Sequence, residues 1–198
     1  MEETKQSWKI DTDCGVDDAQ AIIIGATFLN IAAITTVAGN TSADKSALNV
    51  ARVLEACKRE VPIIRGANRP MVNSLPKEQN KHGLDGLGDH PDIQTMSGYK
   101  HCIVEKERAA DAIIRLINDS PGRVNVLLIG PMTNMAIALT LAPSIAEKVG
   151  RVVAMGGTKN GRGKIDFNKE TNFAFDPEAA YICVEQLRQI ELLPWETV

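Results

Sequence analysis

The chain has 198 residues, 44% of them hydrophobic and 24% charged, with a formal net charge of −3. This suits one globular domain, or one domain and part of another, of which a single domain over residues 1–198 is the reading taken, and excludes a disordered or collagen-like chain. Mild acidity excludes a general nucleic-acid ligand, which needs clustered Lys and Arg, and no apolar run approaches the ~20 residues of a membrane helix.

Trp8–Ile10 reads as a short strand that ends in an acidic loop. Asp17–Leu29 follows as a helix, with Ala19, Ile22, Ile23, Ala26 and Leu29 at helical spacing. Ile31–Val37 is a β-branched strand broken by Gly39 and Asn40, and Ser42–Cys57 is a helix with Ala47, Val50, Ala51 and Leu54 on one face. Val61–Ile64 is a strand, Lys106–Asn118 a helix and Val124–Ile129 a buried strand. Pro131 suits the first turn of a helix reaching Leu139. Arg151–Met155 is a strand, and Asp176-Pro177-Glu178 starts a helix to Leu187, with Asp as cap and Glu at the positive end. Ile190–Leu193 closes the series as a strand. Two long stretches, Gly66–Lys100 and Gly156–Phe175, read as irregular loops of functional length.

Strands alternating with helices predict an α/β fold with a mainly parallel central sheet flanked by helices. Ligands in such sheets bind at the carboxyl ends of strands. The polar Met1–Lys9 segment predicts no secretory leader. Cys14, Cys57, Cys102 and Cys183 form no C-x-x-C pair and read as reduced thiols of a cytoplasmic protein. The aspartates around Cys14 disfavour its thiolate and with it a nucleophilic role.

The first strand runs into Asp11-Thr12-Asp13-Cys14-Gly15-Val16-Asp17-Asp18, four carboxylates within eight residues. Like charges this close repel and raise each other's pKa in a partly dry cleft. A divalent cation removes the conflict, and oxygen-only ligands favour Ca²⁺ or Mg²⁺ over zinc. Gly15 allows the tight turn that lets carboxylates on both sides of it converge. Asn40, in Thr35-Thr36-Val37-Ala38-Gly39-Asn40, either offers an amide to a ligand or occupies a turn. Gly130, in Gly130-Pro131-Met132-Thr133-Asn134, leaves the Ile129 carbonyl open toward a cation or marks a plain strand-to-helix turn. Glu170 and Asn172 share a face if that stretch is extended, and could hold hydroxyls. His82, between Lys81 and Gly83, either covers a site or is an ordinary surface histidine.

Taken together, Asp11–Ala19, Thr35–Asn40, Gly130–Asn134, Met155-Gly156-Gly157 and Glu170–Asn172 with Asp176–Ala180 resemble the nucleoside hydrolases, the inosine-uridine-preferring nucleoside N-ribohydrolase family. The motifs stand in family order and span nearly the whole chain. The resemblance implies a Rossmann-like nucleoside hydrolase fold and Ca²⁺-dependent hydrolysis of the N-glycosidic bond of ribonucleosides to free base and ribose. It implies Asp13, Asp18 and the Ile129 carbonyl as ligands of Ca²⁺, and Asp13 also as general base toward the attacking water. It assigns Asp17, Asn40 and Asn172 to ribose hydroxyls, Glu170 to the neighbourhood of the 5′-hydroxyl and Met155 to the sugar pocket. Asp11 looks like a support of the loop from behind, and His82 keeps both of its readings. The implied partner is a small ribonucleoside, with no nucleic acid and no membrane, and the implied assembly is a homo-dimer or tetramer.

Departures from the pattern set further expectations. The family pattern continues well beyond Pro194-Trp195-Glu196, where it usually supplies one more Asp to the ion and a His near the leaving base. The chain therefore reads as incomplete at its C-terminus, with weak metal affinity and little or no turnover as it stands. Lys164 stands where many relatives carry Asn, and Thr171 where they usually carry an aromatic residue. Two other readings compete. One is a non-catalytic nucleoside- or Ca²⁺-binding remnant. The other is a Mg²⁺-dependent phosphatase of the haloacid-dehalogenase type; there Gly15 replaces the expected Thr or Val, and no later Lys and paired-Asp loop follows.

Overall fold

Strand and helix alternate along the chain and feed a single sheet. The computed structural model describes residues 6–72, 81–161 and 169–198. In chain order it contains β1 (Ser7–Thr12), α1 (Val16–Phe28), β2 (Ile31–Thr36), α2 (Ala43–Cys57), β3 (Ile63–Arg65) and α3 (Pro91–Thr95). A 3₁₀ turn at Lys100–Cys102 leads to β4 (Ile103–Val104), α4 (Ala109–Asp119), β5 (Val124–Leu128) and α5 (Thr133–Leu141). A second 3₁₀ turn, Pro143–Glu147, precedes β6 (Val152–Met155), α6 (Thr171–Phe175), α7 (Pro177–Gln186) and β7 (Ile190–Leu193).

The strands lie in the order β4-β3-β2-β1-β5-β6-β7, and each neighbouring pair is parallel. The order reverses direction at β1, whose two neighbours are β2 and β5. Such a switch point opens a crevice at the carboxyl ends of the central strands. The acidic loop after β1 therefore meets the loops after β2 and β5 there.

Alternation along each strand splits the core between the two faces. Ile10, Ile34 and Ile63 pack with Ile22 of α1 and with Val50, Ala51 and Leu54 of α2. On the opposite face Val126, Leu128, Val152 and Ala154 meet Ile113 and Ile117 of α4, Met135 and Leu139 of α5 and Cys183 of α7. With few aromatic side chains, this core is built from aliphatic residues and alanine, which lets helices approach the sheet closely.

Local signals start the helices where the sequence predicts them. Ser42 caps α2 by accepting from Lys45 N at 3.2 Å, and Asp176 caps α7, with Pro177 in its first turn. The differences lie in the two stretches read as irregular loops. The first contains α3 and the second α6, and the first 3₁₀ turn and β4 follow at the end of the first stretch. β4 has two residues and exists because Ile103 and Val104 register with Ile63 and Ile64 of β3, a contact that no local pattern encodes. α6 replaces the extended Glu170–Asn172 segment: Glu170 is its cap and Asn172 lies in its first turn. Helix α5 starts at Thr133, so Pro131 stands outside it. Lys164 lies outside the described residues.

Asp176 does more than cap a helix. Its buried carboxylate accepts from Thr133 Oγ1 at 2.6 Å, Met71 N at 3.0 Å and Ala179 N at 3.1 Å, tying α5, the loop after β3 and α7 together. Asp176→Ala leaves these donors without their acceptor and is expected to cost about 2–4 kcal/mol of folding stability. Asp176→Asn, which keeps one acceptor oxygen, loses less. Urea unfolding midpoints of the two variants measure this, and an unchanged midpoint for the alanine variant contradicts the assignment.

Candidate active site

The acidic turn is built from its own backbone. Thr12 Oγ1 accepts from Cys14 N at 3.0 Å and donates to Asp18 Oδ1 at 2.7 Å. The other Asp18 oxygen accepts from Gly15 N at 2.9 Å, so a carboxylate in the first turn of α1 reaches back to the N–H of the residue that starts it. Cys14, between them, is held at φ 31°, in the left-handed region that a non-glycine residue adopts only under constraint. Behind the turn, Ser46 Oγ donates to the Asp13 carbonyl at 2.8 Å and Asn49 Nδ2 to the Cys14 carbonyl at 3.3 Å. Helix α2 thus braces the loop with polar side chains on its buried face.

Asp13 is turned toward the ends of β2 and β5. Its Oδ2 accepts from Asn40 N at 2.6 Å, and Asn40 Nδ2 reaches Asp18 Oδ2 at 3.4 Å. Gly39 and Gly130 form a cradle around it. A Cβ on Gly39 would strike the Asp13 carboxylate, and one on Gly130 would lie 2.8 Å from Asp13 N and 3.0 Å from Asp13 Oδ1. A side chain at either position would displace the carboxylate. Asp17 is the most open of the four, its side chain 70% exposed, with Oδ1 3.6 Å from His82 Nε2. His82 Nδ1 accepts from Val16 N at 3.3 Å, which docks the histidine over the first turn of α1.

A second wall comes from the later strands. Asn172 Nδ2 donates to the Ile129 carbonyl at 3.0 Å and to the Met155 carbonyl at 3.2 Å, with Met155 Sδ at 3.3 Å. Glu170 holds α6 in place: Oε1 accepts from Asn172 N at 2.8 Å, and Oε2 from Phe173 N and Gly157 N, both at 3.0 Å. The Glu170 carboxylate is therefore engaged by backbone donors. On the far side of α6 a cavity of about 680 Å³ opens at the ends of β6 and β7, lined by Gly157, Lys159, Phe173, Leu192 and Pro194 among others.

Asp11 lies below both walls. It is fully buried, takes a hydrogen bond from Thr35 Oγ1 and one from Asn134 Nδ2 at 3.0 Å, and its backbone carbonyl accepts from Ile129 N at 2.9 Å. Asn134 also donates to the Thr36 carbonyl at 2.9 Å and accepts from Ala67 N at 2.9 Å.

Electrostatics follows from this packing. Asp13 and Asp18 are 1% and 4% exposed. Burial, and then the neighbouring Asp18 charge, pushes Asp13 well above the usual carboxylate range. Burial, and then the Asp17 charge, lifts Asp18 to about 7. The Cys14 thiol is pushed up as well, by burial and by the same aspartates, so it stays protonated and is no nucleophile. Two dry carboxylates surrounded by neutral donors are a cation site in chemical character, and all-oxygen ligands suit a hard ion. Among the described residues no group of three or more His, Cys, Asp or Glu side chains is placed to hold a metal. The turn itself offers only the Asp13 and Asp18 carboxylates, too few on their own to surround an ion.

The structure thus joins Asp13, Asp18 and Asn40 directly, and Ile129, Met155, Glu170 and Asn172 in a second group that meets the first where Gly130 presses on Asp13. Four supports escape a reading of the sequence: Thr12, Ser46, Asn49 and the role of Asn134. Ser46 and Asn49 carry a signal, since both interrupt the apolar face of α2 formed by Ala47, Val50 and Ala51. Among the described residues no helix is long and apolar enough to cross a membrane.

Residues 9–198 match the model of the family described as inosine-uridine preferring nucleoside hydrolase. The chain is 36% identical over 177 residues to a non-specific ribonucleoside hydrolase, RihC, of Klebsiella pneumoniae subsp. pneumoniae, covering 86% of this chain and 55% of the relative. It is 34% identical over 185 residues to a probable uridine nucleosidase 2 of Oryza sativa subsp. japonica, covering 90% and 53%. The solved structure of an inosine-guanosine nucleoside hydrolase superposes with a TM-score of 0.89 at 29% identity, covering 98% of this chain and 61% of that one. The chain spans about half the length of the curated relatives it matches. With its parallel sheet, its acidic turn at the switch point and this match along nearly all its residues, the chain belongs to the inosine-uridine preferring nucleoside hydrolase family.

Proposed function

We propose that the chain carries the ribose- and cation-binding floor of an enzyme that hydrolyses the N-glycosidic bond of ribonucleosides to base and ribose. The observation that carries this reading is the buried Asp13–Asp18 pair, cradled by Gly39 and Gly130 at the crevice of the sheet. Asp13, Asp18 and the Ile129 carbonyl would hold Ca²⁺. The ion, when bound, supplies Lewis acidity and the positive charge that lets both carboxylates stay ionised side by side.

The chain's own residues do the rest. The Asp13 carboxylate takes the proton of the attacking water as its oxygen bonds to the anomeric carbon and the bond to the base breaks. Asn40 N fixes that carboxylate at 2.6 Å, so the base does not have to be oriented during the reaction. Departure of the base leaves an oxocarbenium-like sugar, as in O-glycoside cleavage, and the negative field of Asp13, Asp17 and Asp18 favours that charge. Asp17, Asn40 and Asn172 supply polar groups for ribose hydroxyls, Met155 lines the sugar pocket and Glu170 holds the edge nearest the 5′-hydroxyl. His82 covers the mouth beside Asp17. The four free cysteines support a reducing, cytoplasmic setting. Exposed Ile23, Ile24 and Phe28 on α1 offer an apolar face for assembly as dimers or tetramers.

Ribose release from inosine and uridine, with calcium and with chelator, tests the reaction. Chelation is expected to abolish release. Asp13→Ala is expected to lower it by about 10²–10⁴-fold, the usual contribution of a general base. Retained turnover in the metal-replete variant refutes the role of Asp13.

Stability should also report the charge conflict. With chelator present, the native state holds protons on Asp13 and Asp18 that the unfolded chain releases above its ordinary carboxylate pKa of 3.8. The unfolded state then binds fewer protons, so stability falls as pH rises from about 4 through the Asp18 value of about 7. Calcium removes the penalty, and the calcium-induced rise in Tm is expected to be larger at pH 8 than at pH 5. Thermal melts at the two pH values measure it, and an equal or reversed increment counts against a cation on this pair.

A further inference from the structure

Beneath the acidic turn lies a lysine that the scheme above does not use. Lys9 stands in the middle of β1, its register partners Ala33 and Val126 both part of the core. It is 1% exposed. Its Nζ lies 3.1 Å from Asp11 Oδ1 but makes no hydrogen bond of good geometry, and Asp11 Oδ2 has no partner either. The groups acting on Lys9 are Asp11 and Cys183 of α7. Cys183 holds its proton, because burial and then the Asp11 and Asp176 charges push its thiol up. Asp11 is the acidic partner.

An ammonium in an apolar layer is expensive, and burial accordingly lowers the Lys9 pKa, with Asp11 opposing the fall. For folding alone, an aliphatic residue at position 9 facing a neutral amide at 11 would cost less than this poorly hydrogen-bonded pair. Asp11 Oδ1 is supplied without the lysine, since Thr35 Oγ1 and Asn134 Nδ2 both donate to it. What Lys9 adds is charge. Asp11 stands two residues before Asp13, about 7 Å along a strand. Unopposed, it would be a further buried negative charge behind the Asp13–Asp18 pair.

We propose that Lys9 is a counter-ion built into the floor of the site, which cancels the Asp11 charge and so sets how strongly the Asp13–Asp18 pair draws a divalent cation. This rests on the cation reading above and deepens it. Lys9 is a positioning residue that acts through Asp11 and touches neither ion nor substrate.

The test is calorimetric titration of the chelator-stripped protein with calcium chloride at pH 8, on four forms: wild type, Lys9→Met, Asp11→Asn and the double variant. One unit charge acting on a divalent ion across roughly 10 Å changes affinity by at least about fourfold, the value in bulk water, and by more at the lower effective dielectric of a buried site. Lys9→Met is expected to tighten calcium binding by that factor, Asp11→Asn to weaken it similarly, and the double variant to return to within about twofold of wild type. Structural damage would weaken binding in every variant, so the opposite signs belong to charge alone. If Lys9→Met does not fold, Lys9→Gln decides, because it removes the same positive charge and keeps a polar chain; unchanged or weaker binding there overturns the inference. Wild-type binding with an unchanged or weakened Lys9→Met overturns the inference alone. A wild type that binds no calcium overturns the cation reading, and the inference falls with it.

Discussion

Two carboxylates held side by side out of water set the terms for the rest of the molecule. Asp13 and Asp18 are buried, and no positive side chain is among the groups that shift them. What holds them is a set of neutral donors: Asn40 N on Asp13, and Thr12 Oγ1 and Gly15 N on Asp18. Such donors satisfy lone pairs without cancelling charge. The arrangement is thus ready for a cation and costly without one, which fits a surface that positions an ion better than one selected for stability alone.

The sheet makes that arrangement possible. A parallel sheet whose order reverses at β1 brings the loops after β1, β2 and β5 to one crevice, although residues 13, 40 and 130 are far apart in the chain. Close approach is secured by what is absent. Gly39 and Gly130 leave space where any Cβ would meet Asp13. The helices then fix the loops from behind: α2 through Ser46 and Asn49, and α5 through Asn134, which bridges Asp11, the end of β2 and the loop after β3.

How much of this is legible in the sequence divides along the range of the interactions. Helices with strong caps, such as those opened by Ser42 and Asp176, and strands with β-branched runs, such as Ile31–Thr36, announce themselves locally. The acidic turn does too, because four aspartates crowded around a glycine at the end of a strand repel one another unless a cation lies between them. The Glu170–Asn172 stretch is harder. Its helix is five residues long, too short for periodicity to show, and its one sign is a glutamate whose two oxygens cap backbone N–H groups. β4 leaves no local trace, because two residues become a strand only through pairing with β3. Ser46, Asn49 and Thr12 look like ordinary polar residues until the fold aims them at the turn.

Lys9 shows the same limit from the other side. In sequence it is a charged residue in a weak strand, which argues for an edge or a solvent-facing position. In the structure that strand is the most central of the sheet, paired on both sides, and the lysine is enclosed. A charge tolerated at that depth needs a partner, and the partner is Asp11, whose backbone carbonyl also holds Ile129 N. The same residue therefore joins the electrostatics of the floor to the position of the second wall. A change in charge at Asp11 is felt by the Asp13–Asp18 pair, while a change in its place is felt by the Ile129 carbonyl and by the Asn172 amide that donates to it. Separating those two effects requires removing charge without removing shape, which an amide in place of the carboxylate does.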